Sequence, residues 1–554
     1  MLWKKAAVWS ASVVSYSATD SISLVFVFWV SMAGFFKNRW FLFLVLTVFI
    51  ICKIPHLYYP YYWDESWPYA VAVKDMYKHG ISLMPSAVDP ELSRGHPLFF
   101  HAVAATWMNV FGSSPLAMHS FALTISILFL ISIYEAGLKL FNQRVAMISL
   151  VLIAAQVVFF VQSSFVLFEV LIAFLSFLSL YFYVRDKYFL TALCLTMLFY
   201  TKESGLIVGF ILGLDALVGI FNTKNHFRIR IFRLLSIFIP CVLIAVFFLI
   251  QKHLRGWYVF PLYSEIIEHS WKAFWYKFRM ACVRDAFYEN HKFYYFLLLV
   301  VLSVVAAIKN KSLKYLAIFL PAIIIYYFVD DMRAGRILPS IPFFILFVLS
   351  VFYFLYVFSG SVFFAFSNQR RFIVLTGLFI LCFLCFSTMN YFTYRYLLAA
   401  LIPLLFLTAA FFDLLITHTF KVLFYPVLIM ILLISYFSFK YDDAHGDANL
   451  GAFDAMDVQQ SVVNYFEHHK YYDKQIGCGS FLELQHLKDH ATGFLHSARF
   501  FNNVKWEINN TTDYAIFDNI EPDKRYKEIK NDTAFQSEYR TEKGKVWAEV
   551  FSRK

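Results

Sequence analysis

The chain has 554 residues, of which 60% are hydrophobic and 15% charged, with a mean hydropathy of +0.62 and a formal net charge of +11. A soluble fold of this length has too little interior to hide that much apolar surface, so the composition excludes a soluble enzyme and points to a polytopic membrane protein. The basic residues are spread over many short connectors, which suits contact with anionic lipid headgroups or phosphate-bearing lipids and speaks against nucleic acid as a partner.

Residues 1–36 form an N-terminal segment of their own. Ser21 to Phe36 is apolar but short for a span of about twenty residues, so an interfacial or re-entrant helix is expected there. Met1 to Lys5 is basic, yet no clear small-residue cleavage site follows. From Lys37 the pattern is regular. Apolar runs cover 40–56, 115–138, 145–163, 165–184, 188–200, 204–221, 234–251, 293–308, 314–329, 337–366, 372–391, 396–417 and 421–439. By the length rule these make about thirteen transmembrane helices, the run at 188–200 being short and that at 337–366 overlong. The seven cysteines give no framework. Cys52, Cys194, Cys241, Cys382 and Cys385 lie in apolar runs as small core residues, and Cys282 and Cys478 lie far apart in extramembrane segments.

The links at Lys37–Arg39, Asn142–Arg144, Arg185–Lys187, Lys224–Arg233, Lys309–Lys311, Gln369–Arg371 and Lys421 are basic and nearly free of acids, which places them in the cytoplasm. The first long loop, 57–114, then faces outward, as do the 252–292 loop and the C-terminal tail. In the first loop, Trp67 to Lys78 and His96 to Phe111 have the character of two amphipathic helices along the membrane surface, joined by a turn-rich link with Pro85, Asp89, Pro90 and Glu91. At Lys440 the composition becomes polar. Residues 440–554 read as a small extracytoplasmic α/β domain. A helix is expected at Asp454–His469, with strands at Gln475–Gly479, Asp513–Phe517, Phe535–Arg540 and Val546–Phe551.

Ionisable residues recur at the outer ends of the spans. Asp64 and Glu65 sit among aromatics in Tyr61-Tyr62-Trp63-Asp64-Glu65-Ser66-Trp67-Pro68, at the mouth of the first span. Glu169 lies early in an apolar run, Lys202 and Glu203 at a turn between spans, Arg333 and Arg336 before Pro339, and Arg395 before Tyr396. Charges at such depth line a water-filled cavity, pair with one another, or snorkel to the interface.

In these segments the chain resembles the GT-C glycosyltransferases that use polyprenyl- or dolichyl-phosphate sugars, nearest to the protein O-mannosyltransferases and the lipid A aminoarabinose transferases. The resemblance is carried by the Asp64-Glu65 pair, GHPLFF at 95–100, FVLFEVLIAFL at 165–175, YTKESGL at 200–206, GRILPSIP at 335–342 and YRYLLAALIP at 394–403. It covers 37–439 and leaves the tail without a motif. It implies a GT-C-like catalytic module that transfers a sugar from a polyprenyl-phosphate donor to a lipid, glycan or protein acceptor, with inversion, at the outer face of the cell membrane. The first acid of the pair is the family's catalytic position, which makes Asp64 the base. Glu65 and Glu169 would orient groups or hold the network. A donor phosphate needs cations, for which Lys202, Arg336 and Arg395 are candidates, with Arg94, His96 and Tyr396 beside them.

The chain departs from the family at Gly95 or its neighbours, where the aminoarabinose transferases carry a second glutamate; Asp89 and Glu91 are the nearby acids. These residues point to no particular cofactor. His96 and His101 with an acid could ligate a divalent metal, although isolated histidines at an interface are more often hydrogen-bonded or solvated. Two other classes compete: a transporter or flippase for a lipid-linked or phosphate-bearing substrate, against which stands the lack of repeated halves, and a receptor or scaffold using 440–554 as its binding module.

Overall fold

The computed structural model describes residues 39–220, 227–280, 301, 367–390, 393–419, 421–442 and 444–554. The N-terminal segment, Arg333, Arg336, Cys282 and, apart from Val301, the expected spans at 293–308, 314–329 and 337–366 lie outside the described residues. The chain divides into two compact units, Met1–Ile51 and Cys52–Lys554. The described part of the first is helical from residue 39.

The protein is a multi-pass helical membrane protein with a small sheet domain at its C-terminal end. Among the described residues six helices are long and apolar enough to cross a membrane: Arg39–Tyr58, Pro115–Leu140, Glu203–Ile220, Phe227–Arg255, Asn368–Met389 and Tyr394–Asp413. We label the helices α1 (Arg39–Tyr58), α2 (Tyr69–His79), α3 (Phe99–Phe111), α4 (Pro115–Leu140), α5 (Gln143–Ala154), α6 (Val157–Gln162), α7 (Glu169–Val184), α8 (Tyr188–Phe199), α9 (Leu206–Ile220), α10 (Phe227–Arg255), α11 (Pro261–Ile266), α12 (Trp271–Met280), α13 (Ser367–Met389), α14 (Leu398–Thr419) and α15 (Phe424–Lys440). The apolar helices α5, α7, α8 and α15 reach only about 18 to 26 Å at 1.5 Å per residue, against a hydrocarbon layer of ~30 Å. The run 145–163, expected as one span, is instead two helices. Gln156 adopts an extended conformation between α5 and α6, and the break leaves Gln162 facing the tail, where its amide donates to the Asp447 carbonyl at 2.7 Å.

Local signals explain several helix starts. Ser114 caps α4 by accepting from the Ala117 N–H, with Pro115 in the first turn. Asn142 caps α5 by accepting from the Arg144 and Val145 N–H groups. Gly137 lets α4 and α5 touch: a Cβ there would stand 2.6 Å from Ala146 Cα. Large rings fill the space between helices. Phe177 of α7 meets Phe129 of α4, Phe372 of α13 and Phe406 of α14 at centroid distances of 5.2–6.0 Å. In α7 nearly every side chain is buried.

The tail folds as helix α16 (Gly451–His469), then β1 (Ile476–Cys478), α17 (Phe481–Lys488), β2 (Val504–Lys505), β3 (Tyr514–Asp518), α18 (Arg525–Asn531), β4 (Phe535–Lys543) and β5 (Val546–Arg553). The sheet order is β2-β1-β3-β5-β4, with β1 parallel to both neighbours and β5 antiparallel to both of its own. The expected helix and four strands are present within a few residues; α17, α18 and the two-residue β2 were not expected. Lys543 pairs with Val546 across the tight Gly544–Lys545 loop, and Gly544 sits at φ +58°, the left-handed region that a short hairpin asks of its first residue. Ala515, Phe517, Phe535 and Phe551 form the core under α18.

The tail lies directly on the first loop. The Tyr61 N–H donates to the Thr492 carbonyl at 3.0 Å, Lys74 Nζ to the Ala491 carbonyl at 2.6 Å, Tyr59 Oη to Asp457 at 2.9 Å and Tyr62 Oη to the His445 carbonyl at 2.6 Å. These bonds put the Asp64 turn and the C-terminal domain at the same end of the helical bundle.

Candidate active site

The chain enters the first loop through a sharp turn. Trp63 has φ +52°, rare for a bulky residue, and Trp63–Glu65 form a single 3₁₀ turn. Adjacent carboxylates thereby point in different directions. Glu65 is fully buried. One of its oxygens accepts from the Val166 N–H at 2.6 Å and meets His119 Nε2 at 3.0 Å; the other accepts from the Tyr62 N–H at 3.2 Å. The opposite ring nitrogen of His119 faces the Leu57 carbonyl at 3.0 Å, so both nitrogens meet oxygen atoms. Glu65 thus ties the turn to α4 and to the segment before α7.

Asp64 points the other way, into a cluster around Arg395. Its Oδ2 is bonded to Arg395 Nη2, while Oδ1 stands 3.9 Å from Arg94 Nη2. The Asp64 side chain keeps 19% exposure, and that of Arg395 only 1%. Arg395 lies in the 3₁₀ turn that leads into α14. Its guanidinium is surrounded by carboxylates: Asp64 at Nη2, Asp447 at Nη1 and Glu169 Oε1 3.5 Å from Nε. Glu169, 3% exposed, is the first residue of α7, where the helix dipole favours a negative charge.

A second set of groups flanks this cluster. Lys202 Nζ lies over the rings of Phe168 and Tyr396, 4.4 and 4.7 Å from their centroids. Tyr396 also faces the Arg395 guanidinium at 5.0 Å. Among the described residues, no carboxylate stands within ion-pair distance of Lys202. The Lys202 turn is fastened to the GHPLFF segment by the Phe99 N–H, which donates to the Tyr200 carbonyl at 2.7 Å. In that segment His96 is buried, with Nδ1 2.9 Å from Glu203 Oε2 and Nε2 2.9 Å from Tyr263 Oη. The carboxylate accepts from Nδ1–H, which leaves Nε2 to accept from the tyrosine hydroxyl when the ring is neutral. Gly95, at φ +70°, is needed here: a Cβ would stand 2.9 Å from Trp257 Cζ3. Arg94, at φ +50°, follows the single turn Pro90–Ser93, which Asp89 caps.

The structure therefore brings Asp64, Glu169, Arg395, Tyr396, Lys202, Arg94 and His96 into one neighbourhood, with Glu65 directly behind it. Asp89 and Glu91 lie on the turn before Arg94 and make no contact with Arg395. His101 is buried beside Tyr69 and Phe100 with neither ring nitrogen hydrogen-bonded. Both nitrogens of His96 are already engaged, and among the described residues no three His, Cys, Asp or Glu side chains converge as a metal-ligand set. Sequence reasoning missed Asp447 and Tyr263. Asp447 does sit in the acid-rich stretch that begins at Asp442, just after the last span, and that position was its only signal.

The chain is similar in structure to ArnT from Cupriavidus metallidurans in the apo state. The identity is 13%, with 92% of this chain and 97% of that one covered and a TM-score of 0.49. It is similar to the same protein bound to undecaprenyl phosphate, with 15% identity, 92% and 98% coverage and a TM-score of 0.48. It is also similar to the archaeal oligosaccharyltransferase AglB from Archaeoglobus fulgidus in complex with an inhibitory peptide and a dolichol-phosphate, with 11% identity, 87% and 69% coverage and a TM-score of 0.41. No protein-family model matches the chain, and no curated protein matches its sequence.

Proposed function

We propose that the protein is a glycosyltransferase. It moves a sugar from a polyprenyl-phosphate donor to a lipid, glycan or protein acceptor at the outer face of the cell membrane, with inversion at the sugar carbon. The observation that carries this reading is the state of Asp64. One of its oxygens is fixed by a buried arginine, while the other stands 3.9 Å from Arg94 and the side chain keeps 19% exposure. A base for an acceptor hydroxyl needs that combination of orientation and access.

In the reaction the acceptor hydroxyl gives its proton to Asp64 Oδ1 as its oxygen attacks the anomeric carbon. The bond from that carbon to the phosphate oxygen breaks on the opposite face, and the electron pair leaves with the polyprenyl phosphate. Lys202 and Arg94 meet the phosphate charge, since both are partly exposed, no carboxylate among the described residues lies within ion-pair distance of Lys202, and Arg94 stands 3.9 Å from Asp64, beyond hydrogen-bond reach. Arg336 belongs to the same proposal as a third phosphate contact. Arg395 is encircled by acids, so its part is to hold Asp64. Tyr396 sets the Lys202 ammonium through its ring face, and His96 with Glu203 fixes Tyr263, which lies in the loop that chooses the acceptor.

The test is turnover of purified protein with a polyprenyl-phosphate sugar. Asp64→Asn keeps the size and most of the hydrogen bonds but accepts no proton at neutral pH, and it should lower turnover by about two to four orders of magnitude. Lys202→Ala and Arg94→Ala should raise the donor KM with a smaller change in kcat. Sugar release at the wild-type rate by Asp64→Asn would overturn the assignment.

A further inference from the structure

Asp447 lies outside the helical bundle in sequence, between α15 and α16, yet its carboxylate is one of the three that meet Arg395. The segment that carries it is tied down on several sides. Gln162, fully buried in α6, donates to the Asp447 backbone carbonyl at 2.7 Å. Tyr62, one residue from the Asp64 turn, donates to the His445 carbonyl, and His445 Nε2 lies 3.1 Å from the Asn519 carbonyl in the sheet domain. Asp442 accepts from the Asn449 amide at 2.9 Å and from the Leu450 N–H at 2.6 Å. Asp447 is therefore delivered to the cluster by a built loop, with its side chain only 10% exposed.

We infer that Asp447 is a positioning residue for the transfer reaction, and that the C-terminal domain completes the site by supplying it. The inference rests on the reading of Asp64 as the base. A guanidinium is planar and rigid, so a carboxylate fixed at one edge sets the direction of the others. Asp447 at Nη1 and Glu169 at Nε act on the plane by charge, since neither of these nitrogens is hydrogen-bonded, and Nη2 donates to Asp64 Oδ2. Without Asp447 the guanidinium keeps two carboxylates and stays paired, so the fold survives. The plane is free to turn toward Glu169, however, and Asp64 loses its fixed orientation. Misplacement of a reacting group on the scale of an ångström costs roughly ten- to a hundredfold in rate.

The experiment compares four variants in full-length protein with a polyprenyl-phosphate sugar as donor. Asp447→Asn should lower kcat roughly ten- to a hundredfold, with the donor KM within about threefold of wild type, because no ground-state contact to the donor is lost. Asp447→Glu keeps the charge and should recover part of kcat. Asp442→Asn loosens the same loop without touching Arg395; it should lower the melting temperature and leave kcat near wild type. Asp64→Asn is the reference for lost chemistry. Wild-type kcat in Asp447→Asn beside an inactive Asp64→Asn removes this inference alone. Equal losses of kcat in Asp442→Asn and Asp447→Asn also remove it, because loop order would then be the cause. Retained turnover in Asp64→Asn removes the underlying reading and this inference with it. Should Asp447→Asn fail to accumulate, Arg395→Lys takes its place: it keeps a cation among the same carboxylates but has no guanidinium plane to orient Asp64, and unchanged kcat there overturns the proposal.

Discussion

The two ends of the helical bundle treat charge differently. Helices α7, α9 and α14 all begin near the Arg395 cluster and run to the other end; Asp413 of α14 lies about 27 Å of helical rise beyond Arg395. At that far end each of three acids has its own arginine partner. Asp413 meets Arg144 and accepts from the Asn142 amide, and Asp215 meets Arg371 and accepts from Tyr183 Oη at 2.8 Å. Asp186 lies 3.3 Å from Arg233 and 3.8 Å from Arg371. The basic connectors at Asn142–Arg144, Arg185–Lys187, Arg233 and Gln369–Arg371 thus share one end, as their composition suggested. At the Arg395 end one buried cation serves three carboxylates, with Arg94 3.9 Å from Asp64 and Lys202 held over aromatic rings rather than paired with an acid among the described residues. Matched pairs fasten helices together. An over-filled buried cation is a poor way to stabilise a fold, and it is understandable where one of the acids has chemistry to perform.

The sharpest way to break this contrast is to neutralise one aspartate at each end. Asp64→Asn should cost about two to four orders of magnitude in turnover with little change in melting temperature. Asp215→Asn should leave turnover per folded molecule unchanged and lower the melting temperature instead. Comparable turnover in the two variants would erase the distinction between the ends.

Within the cluster end, Glu65 offers a control one residue from Asp64. In Glu65→Gln the amide oxygen can still accept from Val166 and His119, but the new NH₂ faces the Tyr62 N–H, donor against donor. A buried donor left without an acceptor costs about 1–3 kcal/mol. The variant should unfold at a lower temperature and keep a measurable turnover, read by thermal melting in detergent and by the transfer assay. Complete loss of turnover at an unchanged melting temperature would assign Glu65 to the chemistry.

At the far end, Arg144→Met should cost stability through Asp413, which keeps 10% side-chain exposure and would lose its cation. The neighbouring Asn142 amide remains, and Arg144 itself is 29% exposed, so the loss should be about 1–2 kcal/mol, below the 3–5 kcal/mol typical of a fully buried pair. Arg144→Met/Asp413→Leu should recover part of it, since replacing both partners by apolar groups avoids the orphaned charge. No recovery in the double variant would mean that the pair itself specifies the helix arrangement.

Much of this architecture was legible because membrane helices announce themselves by length and apolarity, and the sheet domain by its alternation and its Lys543-Gly544-Lys545 turn. The short runs were harder. A break such as Gln156 is a conformational choice made by packing, and no proline or glycine marks it. The cluster was half legible. Asp64, Glu169, Lys202 and Arg395 stand out because a charge at the end of an apolar run is conspicuous. Asp447 does not stand out, because acids are ordinary in a polar tail; only the docking of that tail makes it part of the site. The opposed directions of Asp64 and Glu65 follow from the backbone of Trp63, whose positive φ no residue pattern signals.

The smallest expected effect concerns pH and the sheet domain that docks on the cluster end. Burial pushes the Asp518 carboxyl up to about 7, against the pull of N–H groups donated by Glu521 and Ile520, with the nearby Glu521 charge adding to the rise. Burial also raises Glu483. For Asp518 the folded state holds its proton more tightly than the unfolded chain, so it contributes stability at low pH and loses it as pH rises from about 4 through about 7. Lys74 behaves oppositely. Burial lowers it to about 8 although Asp489 opposes the shift, so the unfolded chain binds the proton more tightly and stability returns as pH rises above about 8. The two windows leave a shallow minimum of stability near pH 7–8. Melting temperature measured from pH 5 to 10 should trace that minimum, and Asp518→Asn should flatten its acid side while leaving the alkaline side in place. A melting curve that rises steadily from pH 5 to 7 would mean that Asp518 is ionised in the folded protein.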